Sequence, residues 1–190
     1  MLFRRSILLE SIERKGTSLA LVTGLVFALL GTLIFPLIPV GSFGLERWIS
    51  IFLTRTSFPP LLALGIWYLL KRYRSEKTED DAVDFSLVFL IPTSAFRAVS
   101  WNSSGDPSSL VASPFLWAAI IIGIPYLIEH AEEEFGFLSF IFILMAIALP
   151  LLAASASWAF FRHNLLLGMA LFIITLVPAV FSIAKDYLVV

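Results

Sequence analysis

Four stretches of this chain, residues 17–40, 110–128, 135–161 and 165–184, contain no Asp, Glu, Lys or Arg, and nothing else in the sequence restricts the fold as severely. A helix rising 1.5 Å per residue needs about 20 residues to cross roughly 30 Å of hydrocarbon, and these runs reach or approach that length. Hydrocarbon offers no water to peptide groups, so only helices or closed barrels span it, and a barrel reads as alternating segments of about ten residues. The runs here are continuous, which selects helices. Composition agrees, with 59% of residues hydrophobic and 14% charged, where soluble domains hold about 45–50% and 25%. The expected fold is all-α, a polytopic helical membrane bundle forming one domain over residues 1–190.

Two further apolar segments, 58–70 and 85–100, bring the expected number of transmembrane helices to six, or five if one of them does not cross. Their lengths give a rise of only about 20 Å and about 24 Å, so they are expected to be bent or to begin outside their apolar cores. Ahead of the first run, "MLFRRSILLESIERKG" sets Phe3, Ile7, Leu8 and Ile12 at helical spacing among Arg4, Arg5, Glu10, Glu13, Arg14 and Lys15. That pattern predicts an amphipathic helix on the membrane surface over residues 1–16. A cleaved leader is the alternative, but the apolar run that follows is far longer than a leader's and lacks a small-residue cleavage site, so it is expected to stay as the first span.

Arginine and lysine orient the bundle. The amino-terminal segment and the loop carrying Lys71, Arg72, Arg74 and Lys77 are expected in the cytoplasm, two crossings apart. Alternation then puts "WNSSGDPSS" outside, "EHAEEE" inside, "RHN" outside and the Lys185 end inside, both termini being cytoplasmic and the membrane that of the cell. Nine Lys and Arg fall at inner ends, against Arg47, Arg55, Arg97 and Arg162 toward the outer side.

Between the first two spans, "FLTRTSFPP" interrupts an apolar stretch with Arg55, Pro59 and Pro60. The prolines are compatible with a helix that starts there, because the first turn has no use for their missing N–H groups. On this expectation Ser57 caps the new helix, and "LERWISIFL" is a separate outer-surface helix with Leu45, Trp48, Ile49 and Phe52 toward the acyl chains.

Arg55 and Arg97 are the candidate site. Counted along ideal helices from Lys71 and Asp84 they lie about 24 Å and about 20 Å up, both in the outer leaflet and on the two arms of one hairpin. Two guanidiniums with Thr54, Thr56, Thr93 and Ser94 nearby form the donor set of an anion or lipid-headgroup site. The plainer alternative has each arginine snorkelling to the surface or pairing with Glu46 or Asp106.

A second group, Glu129, His130, Glu132 and Glu133 in "EHAEEE", has the side chains for a divalent metal or a proton relay. Its spacing matches no metal signature, and the favoured account is a short cytoplasmic acidic turn at the start of the next helix. No metal site and no cofactor are assigned. His163 lies in the opposite turn and is expected at the surface, and Asn102-Ser103-Ser104 matches the glycosylation pattern in an outer loop. Small residues at 153–157, above all Ala153, Ala154 and Ser157, let helix backbones approach closely and are expected to pack.

Cysteine is absent, which removes thiol nucleophiles, disulfides and thiolate metal sites. A formal net charge of −1 argues against nucleic acid as a partner. With no hydrolase or metalloenzyme signature and few intramembrane charges, the expected role is a non-catalytic integral subunit or scaffold, its partners the lipid bilayer and other membrane subunits. A small-anion transporter or channel component using Arg55 and Arg97 is the alternative, and an enzyme acting on lipid a third.

Overall fold

The computed structural model describes residues 15–34, 44–73, 80–100 and 107–188. In order, the helices are α1 (Lys15–Ile34), α2 (Leu45–Ile51) running into a π turn (Phe52–Thr56), α3 (Phe58–Tyr73), α4 (Asp80–Ser100), α5 (Pro107–Glu133), α6 (Phe137–Phe161) and α7 (Leu165–Leu188). The structure is 94% helical, with no strand among the described residues.

Three helices, Ala112–Glu133, Phe137–Phe161 and Leu165–Lys185, are long and apolar enough to cross a membrane, and the bent pair Leu45–Thr56 with Phe58–Leu69 makes a fourth if it counts as one span. These are the features of a membrane-associated helical bundle. Apolar segments of α1 and α4, Leu19–Gly31 and Ala82–Ala95, are shorter. Residues 1–14 of the expected surface helix at 1–16 fall outside the described residues, as do Asn102 and the middle of the basic loop at 74–79.

Several boundaries move from the sequence expectation. The span expected at 85–100 begins at Asp80, and that expected at 110–128 continues through Glu133. Apolar runs mark what hydrocarbon tolerates, whereas hydrogen bonding carries a helix on through charged residues in water. Acidic residues also suit a helix's first turn, where Asp80, Asp81 and Asp84 stand in and near the opening of α4.

The chain gathers into two compact units. The first holds α1, the later part of α3 and α4. Among the described side chains of α1, Ala20, Gly24, Ala28 and Gly31 are buried, while Leu21, Val22, Leu25, Val26, Leu29, Leu30 and Leu33 are exposed. This repeat of small residues every third or fourth position is the stripe that lets two helix backbones meet in an apolar medium. At Gly24 a side chain has no room, since a Cβ there would run into the backbone carbonyl of Phe89 on α4. Beside that contact the Phe27 and Phe89 rings lie 5.7 Å apart.

The second unit is built on α5, α6 and α7, with α2 and the π turn against α6. Central α5 has 56% of its apolar window buried, against 22% for α6 and for α7, so the last two present most of their surface outward. Where the three meet, Gly123 faces Leu149 and Pro178. Small residues again dominate the buried side: α6 buries Ala146, Ala153, Ala154, Ala156, Ser157 and Ala159 alongside Leu149, Pro150 and Phe160, and exposes Phe140, Ile143, Leu144 and Ile147.

Two tight turns join these helices. Between α5 and α6, Gly136 takes φ 73 and ψ −129, a region that side-chain-bearing residues avoid. Across the same turn Ser139 Oγ donates to the Ala131 carbonyl at 2.7 Å, engaging an acceptor in the last turn of α5. Between α6 and α7, His163 N–H donates to Phe160 O and Asn164 N–H to Ala159 O, closing α6 with the paired bonds of a Schellman motif. Asn164 then caps α7, its Oδ1 accepting from Leu167 N–H at 3.2 Å.

Candidate functional site

The break before α3 is where local chemistry is most unusual. Ser57 occupies the cap position, its carbonyl accepting from Leu61 N–H at 3.1 Å. A serine cap normally bonds the N–H of the second or third helical residue. Here those are Pro59 and Pro60, which have none, so the expected side-chain cap does not form. Ser57 Oγ instead donates to the carbonyl of Pro150 on α6 at 2.6 Å, in a fully buried position.

The prolines also act backward. A helix would satisfy the Arg55 carbonyl through the N–H of residue 59, or of residue 60 in π geometry, and both are proline. Trp117 of α5 supplies the bond, its indole N–H donating to Arg55 O at 3.1 Å. The chain bends by 52° at this break. The Lys71-based count that put Arg55 up a straight helix is therefore corrected, because Arg55 lies beyond the bend in the π turn. The expected break does fall at Ser57, where the segment Leu45–Thr56 and the helix from Phe58 meet at that bend, and Leu45 and Ile49 are exposed. The outward placing of Trp48 is corrected, since it is half-buried, donates to Ser155 Oγ of α6 at 3.1 Å and stacks on Phe52.

Of the proposed donors, Arg55 is half-buried in the second unit, while Arg97 belongs to α4 in the first. Thr54 Oγ1 donates to its own helix at Ser50 O, and Ser94 Oγ to Ile91 O. The Thr56 and Thr93 hydroxyls are buried without a hydrogen-bond partner, as is that of Ser86, two turns from Thr93 on the same face of α4. Ala153, Ala154 and Ser157 are all buried within the second unit.

Glu129, His130, Glu132 and Glu133 all lie in the last turns of α5. Glu129 meets Lys185 of α7 at 3.7 Å, both exposed, and Glu132 and Glu133 face outward. His130 packs on the Tyr126 and Phe142 rings, 4.1 Å and 5.7 Å between centroids, with Nδ1 2.9 Å from the Tyr126 carbonyl. An oxygen that can only accept requires the proton on Nδ1. Among the described residues no three His, Asp or Glu come together to hold a metal ion. His163 is exposed in its turn, at φ 57.

Sequence reasoning did not link Ser57 to Pro150 or Trp117 to Arg55. The signal was present in part: two adjacent prolines leave carbonyls three and four residues earlier in need of outside donors, and a buried tryptophan carries one. Which tryptophan, of five, only the fold decides. Comparison with protein-family models, curated proteins and solved structures finds no match to this chain.

Proposed function

We propose that this chain is a non-catalytic integral subunit or scaffold of a larger membrane assembly. The observation that carries this is the sorting of side chains by size: small residues buried at helix contacts, and Leu, Ile, Val and Phe turned outward along α1, α6 and α7. Water does not tolerate so much contiguous apolar surface, whereas acyl chains or neighbouring apolar helices cover it without cost. Counting α1 and α4 as spans, together with the bent pair and the last three helices, gives six. The positive-inside rule then favours cytoplasmic termini, and the amphipathic pattern of 1–16 favours a surface-lying helix, in what we take to be the cell membrane. Purification in a mild detergent tests the role, with co-isolation of other membrane chains at fixed ratio expected. A monodisperse, lone species that is equally stable without partners would contradict it.

A second reading, a component of an anion transporter or channel, is favoured by the interrupted helix at Phe52–Pro60. Broken helices carry the sites of many transporters, and π turns recur at functional positions. Arg55 sits in that turn beside the buried, unpartnered Thr56 hydroxyl. Replacing Arg55 or Arg97 by Gln would then abolish anion uptake into vesicles without altering the fold, and unchanged uptake would remove this reading.

A further inference from the structure

Two arginines stand on aromatic rings at one end of the second unit. Arg47 of α2 lays its guanidinium 3.8 Å from the centroid of the Phe161 ring. Arg162, which closes α6, holds its own 5.2 Å from the Trp158 ring. Trp158 and Phe161 stand three residues apart and so lie on adjoining faces of the last turn, which brings both cations to the same end of α6. Among the described residues no carboxylate pairs with either arginine. A guanidinium stacked on a ring keeps its edge, and with it the N–H donors, available to an oxyanion.

Depth identifies the oxyanion. Helix α6 has 25 residues, about 37 Å against roughly 30 Å of hydrocarbon, so its two ends stand at the headgroups. Trp48 and Trp158 beside the arginines are the residue type that settles at that level. The opposite end of the same unit exposes Glu132, Glu133 and Glu134. Glu46 stands beside Arg47 at the first end and Lys185 beside Glu129 at the second, so the two ends keep opposite signs of charge and negative headgroups favour the arginine end.

We infer that the Arg47–Arg162 end of this unit binds the phosphodiester of an anionic phospholipid. Both guanidiniums donate to the phosphate oxygens, with Trp48 and Trp158 alongside the glycerol region. This rests on the membrane reading above and names the lipid chemistry that reading leaves open.

The test uses the full chain in nanodiscs of phosphatidylcholine containing a minor fraction of phosphatidylglycerol, with native mass spectrometry of the lipids it retains. Phosphatidylglycerol is expected to be enriched roughly 5- to 30-fold over its bulk share, the factor given by one to two arginines at about 1 kcal/mol each. In the Arg47→Gln/Arg162→Gln double variant the enrichment is expected to vanish, and in the corresponding Lys variant to persist in part. Retention in bulk proportion by the unaltered chain, or full enrichment in the Gln variant, overturns the inference. If the Gln variant does not fold, quenching of the unaltered chain's tryptophans by brominated phosphatidylglycerol must exceed that by brominated phosphatidylcholine, and equal quenching overturns it. Millimolar inorganic phosphate is expected to leave the bound lipid in place, and displacement would mark a site for a free anion instead. Loss of selectivity in a stably inserted chain refutes this inference alone, whereas failure to insert refutes the membrane reading as well.

Discussion

His163 shows how a single side chain can be at odds with its backbone. It holds φ 57 at the position after the α6 cap, where glycine is the usual occupant. A Cβ in the left-handed region costs about 1–2 kcal/mol, so His163→Gly is expected to stabilise the protein by about 1 kcal/mol in thermal unfolding in detergent. Trp117 points the other way. Its indole engages the carbonyl that the prolines deprive of a helical donor, so Trp117→Phe is expected to cost about 1–3 kcal/mol, visible as an earlier unfolding midpoint. By contrast, Glu129 and Lys185 are a solvent-exposed pair 3.7 Å apart, and Glu129→Gln is expected to shift stability by less than about 1 kcal/mol.

At the scale of elements, the pairing of α1 with α4 depends on the absence of a side chain at Gly24. Because the opposing atom is the Phe89 backbone carbonyl rather than a movable side chain, Gly24→Leu is expected to separate the two helices. A disulfide between cysteines placed at facing positions of α1 and α4 would form in the parent and fail in that variant. Much of this level was legible in the sequence. Charge-free runs located α5, α6 and α7 to within a few residues, since hydrophobic length is a direct physical requirement of a span. What escaped notice was the stripe Ala20, Gly24, Ala28 and Gly31, because attention to hydrophobicity overlooks residues that matter for being small. The join at Ser57 was half legible: two prolines announce a helix start, but the direction in which the Ser57 hydroxyl turns depends on Pro150, 93 residues away. Arg55 and Arg97 were placed by counting along straight helices, and the 52° bend invalidates that count for Arg55.

For the whole molecule, burial combines a core of large apolar side chains on α4 and α5, among them Phe89, Leu116, Ile120, Ile121 and Leu127, with a sorting by size on the other helices. Alanine, glycine and serine occupy the helix contacts of α1 and α6, while Ile143, Leu144, Ile147 and Leu151 look outward from α6. Hydrocarbon around those outward faces is the claim on which the proposed role and the lipid site both depend. The chain contains no cysteine, so a single one can be introduced at each outward position and spin-labelled without competing sites. Collision of the label with dissolved oxygen, which concentrates in acyl chains, and with a water-soluble nickel chelate is then measured in reconstituted vesicles. At Ile143, Leu144, Ile147 and Leu151 the expected result is frequent collision with oxygen and almost none with nickel, with nickel access rising only at Glu132 to Glu134 and at Arg162. Ready access of the nickel chelate along the middle of α6 would contradict the account.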